Sequence, residues 1–483
     1  MRWLRWALVV LVVVLAGGGA AAYARGKQAS DSVSPGYRFE KGGWTYVHLE
    51  GTPEQIGFQH GSLLANEIED MVNVVRVETA HDTKRSWSFY RSAARQQLWP
   101  HIDLEYQQEL IGIAKGVESK GIKLDVWDIT ALNGSIELSE YYVPYLNKGK
   151  RLERAANGTG NRIGMMPNGR CSAFVATGRY TKDGRIVMAH NNWSTYAEGA
   201  RWTVIFDIKP ETGHRILMDG EPGVITSEDD FGENDAGLMI TETTIIGFEG
   251  WNPRGKPEFM RSRKAMQYGT SIDEYAEILK EGNNGGYAND WLIGDRKTGE
   301  IGYLELGLKN TPLWKTKDGF FISSNFARDP EVLKVETPTF SYDDLSKSPN
   351  ARRVTWEKKM AENKGQIDVA LAEKFEADHD DSYTGKVQPD QRSLCGHVEL
   401  SKDGMQDYGG WGPYYPAGAV TGKVTDSELA GRMELVAHAG HPCGDDFHAA
   451  AFLKAHPEYG YLKPILKDMP AGPWTTFKAD EKQ

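Results

Sequence analysis

The chain has 483 residues, 40% hydrophobic and 11% aromatic, which supplies a core for one large domain or two ordinary ones and excludes general disorder. A formal net charge of −11, with no long Lys/Arg cluster, argues against a nucleic-acid partner. Three cysteines are too few for a disulfide scaffold; Cys395 and Cys443 can pair and leave Cys171 odd, or all three stay reduced.

The N-terminus carries Arg2 and Arg5, an apolar run from Trp6 to Ala16, and the small-residue pattern Ala22-Tyr23-Ala24. Residues 1–24 read as a secretory signal cleaved at an A-x-A site, or as an anchor held by residues 6–24. Either way the body is expected to be exported (periplasmic, secreted or membrane-anchored), with membrane association only through the N-terminus. "WTYVHLEG" (Trp44 to Gly51) alternates like a half-buried strand. It leads into a helix start with Thr52 as N-cap, Pro53 in the first turn and Gln55 completing a capping box. From there to about Leu146 the pattern predicts mostly helix, with "DLEYQQELIGIAKGVESKG" as one amphipathic helix closed by Gly121.

The tract from Asn147 to Arg170 is rich in Gly, Asn and basic residues and has almost no apolar periodicity. A stretch of that length without structure is functional or a linker. A run of strands follows: "SAFVATGRY", "RIVMAHNNW", "RWTVIFDI", "HRILMDG" and "AGLMITETTI", with Asp183-Gly184 as a hairpin turn. "RSRKAMQYGTSIDEYAEILKEG" and "PNARRVTWEKKMAEN" read as helices, and "NDWLIGDRKTGEIGYLELG" as a further hairpin. Hairpins with segregated helices predict an α+β layered fold.

Cys171 stands first in a strand, directly after the loose tract. One reading is a small buried core residue. The other is a nucleophile unmasked by self-cleavage at Arg170/Cys171. The thiol attacks the Arg170 carbonyl, the thioester hydrolyses, and Cys171 keeps a free α-amine. An amine of pKa about 7.7–8.0 can serve as base for a thiol of about 8.5.

"CSAFVATGRYTKDGRIVMAHNNW", "DDFGENDAGLMITETTI" and "YANDWLIGD" resemble the phospholipase B-like proteins, which group with the peptidase C45 acyltransferases among the N-terminal-nucleophile (Ntn) hydrolases. "GTPEQIGFQHG", "SLCGH" and "AGHPCGDDF" are similar to further segments of that group, in the same order, from about Gly51 to Phe447. The resemblance implies a four-layer αββα sandwich with a helical N-terminal portion. It implies a self-processing enzyme of two chains: residues 25–170, ending in a cleavable linker at 147–170, and a catalytic chain at 171–483. It implies hydrolysis of an acyl amide or acyl ester through a thioacyl-enzyme, with acyl transfer open, no cofactor, no metal, and a small-molecule or lipid acyl substrate.

Residue by residue, the resemblance makes Cys171 the nucleophile. His190, Asn191 and Trp193 match an "AHN-x-W" strand, although the similar bile salt hydrolases have Arg in place of His190 and Asp near Trp193. His190 then either orients the thiol or amine, or is a structural histidine. Thr243 and Thr244, with Glu242 beside them, sit where relatives place an oxyanion-side residue, or are ordinary strand residues. Asn289 matches an oxyanion-binding amide. Catalytic roles thus fall to Cys171, Asn289, His190, Asn191 and Thr244, and substrate contacts to Trp193, Glu242 and Thr243. Arg352 and Arg353 lie in a segment where that family often has a functional arginine, but two in a row in a helical context read as a solvated helix face.

Two competing readings stay open. "HAGHPCGDDFH" offers His438, His441, Cys443, Asp445, Asp446 and His448, and "CGH" adds Cys395 and His397, all of a type that suits zinc. The spacing does not, since H-E-x-x-H and C-x-x-C are both absent, and "HDDSY" at His379 reads as a polar loop. A metal hydrolase of this cluster, or an inactive exported binding protein, are the alternatives.

Overall fold

The computed structural model describes residues 36–148, 171–228, 231–405 and 410–483. The leader, nearly all of the 147–170 linker and Arg170 lie outside the described residues. The helix start read at Thr52 is present. The Thr52 hydroxyl accepts from Gln55 N, and the Gln55 side chain accepts from Thr52 N, opening α1 (Pro53–Leu63). It is followed by α2 (Ala65–Thr83), α3 (Leu104–Glu118) and α4 (Val126–Asn133). Helix α1 crosses α3 at backbone contact. A Cβ on Gly57 would lie 2.0 Å from Glu109 O and one on Gly61 2.0 Å from Ile113 O, so glycine is needed at the crossing.

Nine strands form one sheet: β1 (Tyr37–Lys41), β2 (Trp44–Gly51), β5 (Val204–Pro210), β6 (Ile216–Gly220), β7 (Gly232–Asn234), β8 (Leu238–Thr244), β9 (Asn289–Asp295), β10 (Glu300–Leu306) and β11 (Leu313–Thr316), neighbours in that order. All its pairs are antiparallel except β2 with β5, which run parallel from Thr45↔Val204 to Gly51↔Pro210. The second sheet has the order β12 (Gly319–Ser323), β3 (Cys171–Thr177), β4 (Val187–Thr195), β15 (Ala417–Asp426), β16 (Glu434–Ala439), β17 (Thr475–Lys478), all antiparallel. A short hairpin, β13 (Asp380–Asp381) with β14 (Lys386–Val387), stands apart.

One apolar cluster joins the two sheets, with Ala173 and Val175 of β3 meeting Tyr46, Ile205, Leu217 and Leu292. A second packs the other face of the larger sheet on α1–α4, α5 (Glu258–Tyr268) and α6 (Ile272–Lys280). The segment read as one helix from Arg261 is thus two, parted at Gly269, Thr270 and Ser271, with Ser271 capping α6. A third cluster packs Phe174 and Ala176 of β3 on Trp356 and Met360 of α7 (Ser348–Glu362) and Phe375 of α8 (Val369–Glu376). Strand β3 is buried on both faces, which is why it reads as a continuous apolar run. Among the described residues no helix is long and apolar enough to cross a membrane.

Candidate active site

Cys171 opens β3 and is 1% exposed. In the sheet it lies directly opposite Asn192 of β4. Paired residues share a face, and the Cys171 Sγ lies 4.0 Å from Asn192 Oδ1. Asn192 Nδ2 is buried with no hydrogen-bond partner among the described residues. An amide with an unused donor therefore adjoins the thiol.

The Cys171 backbone is held on both sides. Its N–H donates to Asn325 Oδ1 at 3.2 Å, and its carbonyl accepts from an Arg352 guanidinium NH at 2.5 Å. Arg352 also donates to Ser172 Oγ and Asn325 Oδ1, both at 2.9 Å, and to Ser348 Oγ at 3.0 Å. Its guanidinium lies 4.3 Å from the centre of the Trp193 ring. Asn325, at φ 74°, donates its amide to Thr244 O at 3.0 Å, which fixes Oδ1 as the acceptor for both neighbours.

Arg352 is fully buried and has no carboxylate within ion-pair distance among the described residues. Burial pulls its guanidinium down to about 9, with the charge at Cys171 acting the other way. A desolvated cation without a counter-ion favours an anion beside it. The reading of Arg352 as a solvated helix face is corrected. One turn of α7 carries Arg352 against β3, while Arg353 pairs outward with Glu357 at 3.0 Å.

The other expected residues divide by strand face. Asn191 and Trp193 leave β4 on the face away from Cys171. Asn191 donates to Glu376 O at 2.8 Å and Leu394 O at 2.9 Å, and Trp193 donates to Leu394 O at 3.2 Å. Both side chains anchor backbone, on the strand face opposite to that of Asn192. His190 lies two pairs further along than Asn192, on the same strand face, opposite Ala173 and Lys423. It stacks on Phe231 at 6.4 Å beside the buried Lys423–Asp219 ion pair of 2.9 Å, in the layer between the sheets.

Glu242, Thr243, Thr244 and Asn289 form the wall behind Asn325. Thr243 Oγ1 accepts from Asn325 N at 3.4 Å and bonds Ser323 Oγ at 2.6 Å, which donates to Asp290 at 2.8 Å. Thr244 Oγ1 bonds Tyr287 Oη at 2.6 Å, and Tyr287 donates to Glu242 at 3.2 Å. Asn289 donates its amide to Glu242 at 2.9 Å. One hydrogen of the amide expected at the oxyanion is thus taken by Glu242, while the Asn192 amide has neither taken among the described residues. Strand alternation over "HNNW" could have separated Asn192 from Asn191. No local signal marked Asn325, while the resemblance pointed to the segment of Arg352 and its helical context argued against it; both lie more than 150 residues from Cys171.

A cavity of about 270 Å³ opens beside Thr195, three residues beyond Asn192 on β4; Asp82, Glu198, Trp411 and Tyr415 also line it. The histidine- and cysteine-rich C-terminal tract comes apart in space: His379, Cys395, His397 and Cys443 converge, with Glu399 and His441 beside His397. Cys395 and Cys443 are not joined by a disulfide.

The family model for phospholipase B matches residues 58–305, just over half of the 483-residue chain. The chain is 24% identical to an uncharacterized protein of Archaeoglobus fulgidus over 312 residues, 62% of this chain and 49% of that protein. It is 25% identical to putative phospholipase B-like 3 of Caenorhabditis elegans over 233 residues, 42% of this chain and 40% of the relative. It is 32% identical to putative phospholipase B-like 2 of Bos taurus over 162 residues, 30% and 27% of the two chains. The chain therefore spans less than half the length of each of these relatives. Cys171, Asn192 and Asn289 fall inside the family match, and Asn325 and Arg352 beyond it.

Proposed function

The chain belongs to the phospholipase B family, and from that premise we propose that it is a hydrolase of acyl esters or acyl amides, with Cys171 as a self-unmasked N-terminal nucleophile in an Ntn-type four-layer αββα fold. The observation that carries this reading is the clasp on the Cys171 backbone by Asn325 and Arg352, with an unengaged Asn192 amide beside the thiol. A cysteine that only fills a core needs neither a buried cation at its carbonyl nor a polar partner at its thiol.

In the proposed maturation the Cys171 thiol attacks the carbonyl of Arg170. The C–N bond breaks, the nitrogen takes the thiol proton, and water hydrolyses the thioester. The products are a carboxylate on Arg170 and a free amine on Cys171. In turnover the amine, oriented by Asn325 Oδ1, takes the thiol proton. The thiolate attacks the substrate carbonyl, and Arg352 stabilises the anionic charge at Cys171. The Asn192 amide donates to the oxyanion, backed by backbone N–H groups. The amine returns the proton to the leaving alcohol or amine, and water releases the acid from the thioester.

Two of the matched relatives are named putative phospholipase B-like proteins, and on that likeness an acyl ester of a lipid is the substrate class we favour. Export through the N-terminal leader belongs to the same proposal. The test is the intact mass of the purified protein beside a Cys171→Ala variant. Two pieces meeting at Arg170/Cys171 in the wild type and one uncut chain in the variant are expected. The cut protein should then release fatty acid from a lysophospholipid or an N-acyl amide, and the substrate that turns over decides between ester and amide. An uncut wild-type chain that hydrolyses neither overturns the reading.

A further inference from the structure

We propose that His379, Cys395, His397 and Cys443 form a closed, four-ligand site for a structural divalent metal with the chemistry of zinc. The four ligand atoms all lie within 4.8 Å of one another. His397 Nε2 lies 3.6 Å from Cys395 Sγ and 3.5 Å from Cys443 Sγ. A tetrahedral zinc with Zn–S of about 2.3 Å and Zn–N of about 2.0–2.1 Å sets the N···S edge at about 3.6 Å. The separations are those of ligands around a shared centre.

Two further observations point to a bound cation. His379 Nε2 is buried and has no hydrogen-bond partner among the described residues. His397 turns its other nitrogen, Nδ1, to Glu399 Oε1 at 3.0 Å, and the second oxygen of Glu399 accepts from the Tyr196 hydroxyl. A carboxylate behind a ligating histidine fixes the ring tautomer and raises its basicity, the usual arrangement behind metal-bound imidazole. Thiolate and imidazole together select zinc over the oxygen-seeking cations. Binding would send the two thiol protons to solvent.

Four protein ligands leave no open position for water, so the site is structural and not hydrolytic. Its ligands come from three separate segments: the start of the β13 hairpin, the 395–397 stretch and the turn after β16. That dispersal is why no spacing motif announces it. The 394–397 stretch is also the anchor of β4. Leu394 O accepts from Asn191 and Trp193, and a Cβ on Gly396 would lie 2.0 Å from the Trp193 ring. A metal here would brace the strand that carries Asn192 and the ring beneath Arg352. The inference does not depend on Cys171 being a nucleophile.

The test uses the full chain in a Cys171→Ala background, so that only Cys395 and Cys443 remain as thiols. We expect about one zinc per chain by elemental mass spectrometry. Both thiols should resist alkylation until a chelator is added, and the melting temperature should fall on chelation and recover with Zn²⁺. Cobalt(II) added to the stripped protein should give the intense visible bands of a tetrahedral thiolate site. Cys443→Ser should lose the metal; if that variant fails to fold, the chelation and cobalt arms still decide. A Cys395–Cys443 disulfide in the non-reduced mass, or a metal-free protein with both thiols open to alkylation, overturns the proposal.

Discussion

Successive side chains on a strand leave on opposite faces, so the adjacent Asn191 and Asn192 do different work. Asn192 faces the Cys171 thiol with a spare amide donor, while Asn191 satisfies two buried carbonyls. Replacing each by alanine should therefore split function from stability. Asn192→Ala is expected to cut kcat about 10²–10³-fold, the usual loss for an oxyanion donor, with little change in melting temperature. Asn191→Ala removes the side-chain donor of Glu376 O and leaves Leu394 O to Trp193 alone, and should cost on the order of 1–3 kcal/mol in a urea titration. Equal losses of activity in the two variants, tracking stability, would remove Asn192 from the mechanism. The same face rule explains what was legible here from sequence. Cys171 stood out as an odd thiol at a strand start, and parity alone could have chosen Asn192 over Asn191. Asn325 could not be read, and Arg352, in a segment where the family often has a functional arginine, was read as a solvated face, because only the pairing of β12 with β3 and the docking of α7 bring them to Cys171.

At the scale of elements, α1 concentrates two dependences. Its capping box and the helical pattern after it were visible in sequence, since both are local. The crossing with α3 was not, because it depends on which glycines two distant helices bring together. Gly61→Ala puts a methyl 2.0 Å from Ile113 O, so the helices must separate, at a cost on the order of 3 kcal/mol despite alanine's better helix propensity. A urea midpoint unchanged in that variant would show the crossing to be looser than described. One residue earlier, His60 accepts from Gly223 N at 2.8 Å and packs on Phe206. Burial, aided by the Arg263 charge, pulls His60 down to about 3. The unfolded chain protonates this histidine near pH 6.5, so its contribution is complete above that pH and is lost as pH falls toward about 3. Between pH 6.5 and 5 the loss should reach about 2 kcal/mol, at about 1.4 kcal/mol per unit. His60→Gln keeps an acceptor for Gly223 but does not titrate, and should flatten that part of the stability profile. A variant with the wild-type slope would assign the acid sensitivity to other groups.

Across the whole molecule, the proposed cut at Arg170/Cys171 would leave two polypeptides whose cores are already one. Strand β2 of the N-terminal part inserts beside β5 as the larger sheet's parallel pair, a long-range contact that local patterns do not encode. Ile56, Leu64 and Ile68 share a cluster with Val204, Phe206 and Ile240. Asp70 accepts from Arg201 at 2.8 and 3.0 Å, and the Tyr46 hydroxyl donates to Lys478 O at 2.9 Å. Withdrawing the N-terminal part would strip a helical layer from the sheet and leave β5 as a bare apolar edge. The cut protein should accordingly elute as a single particle containing both pieces, and the pieces should part only in denaturant. Residues 171–483 expressed alone should aggregate, and should regain solubility when residues 25–170 are co-expressed. An N-terminal piece that leaves under native conditions, with a soluble and active remainder, would make it a removable propeptide. The β2–β5 pairing would then be a contact of the precursor alone.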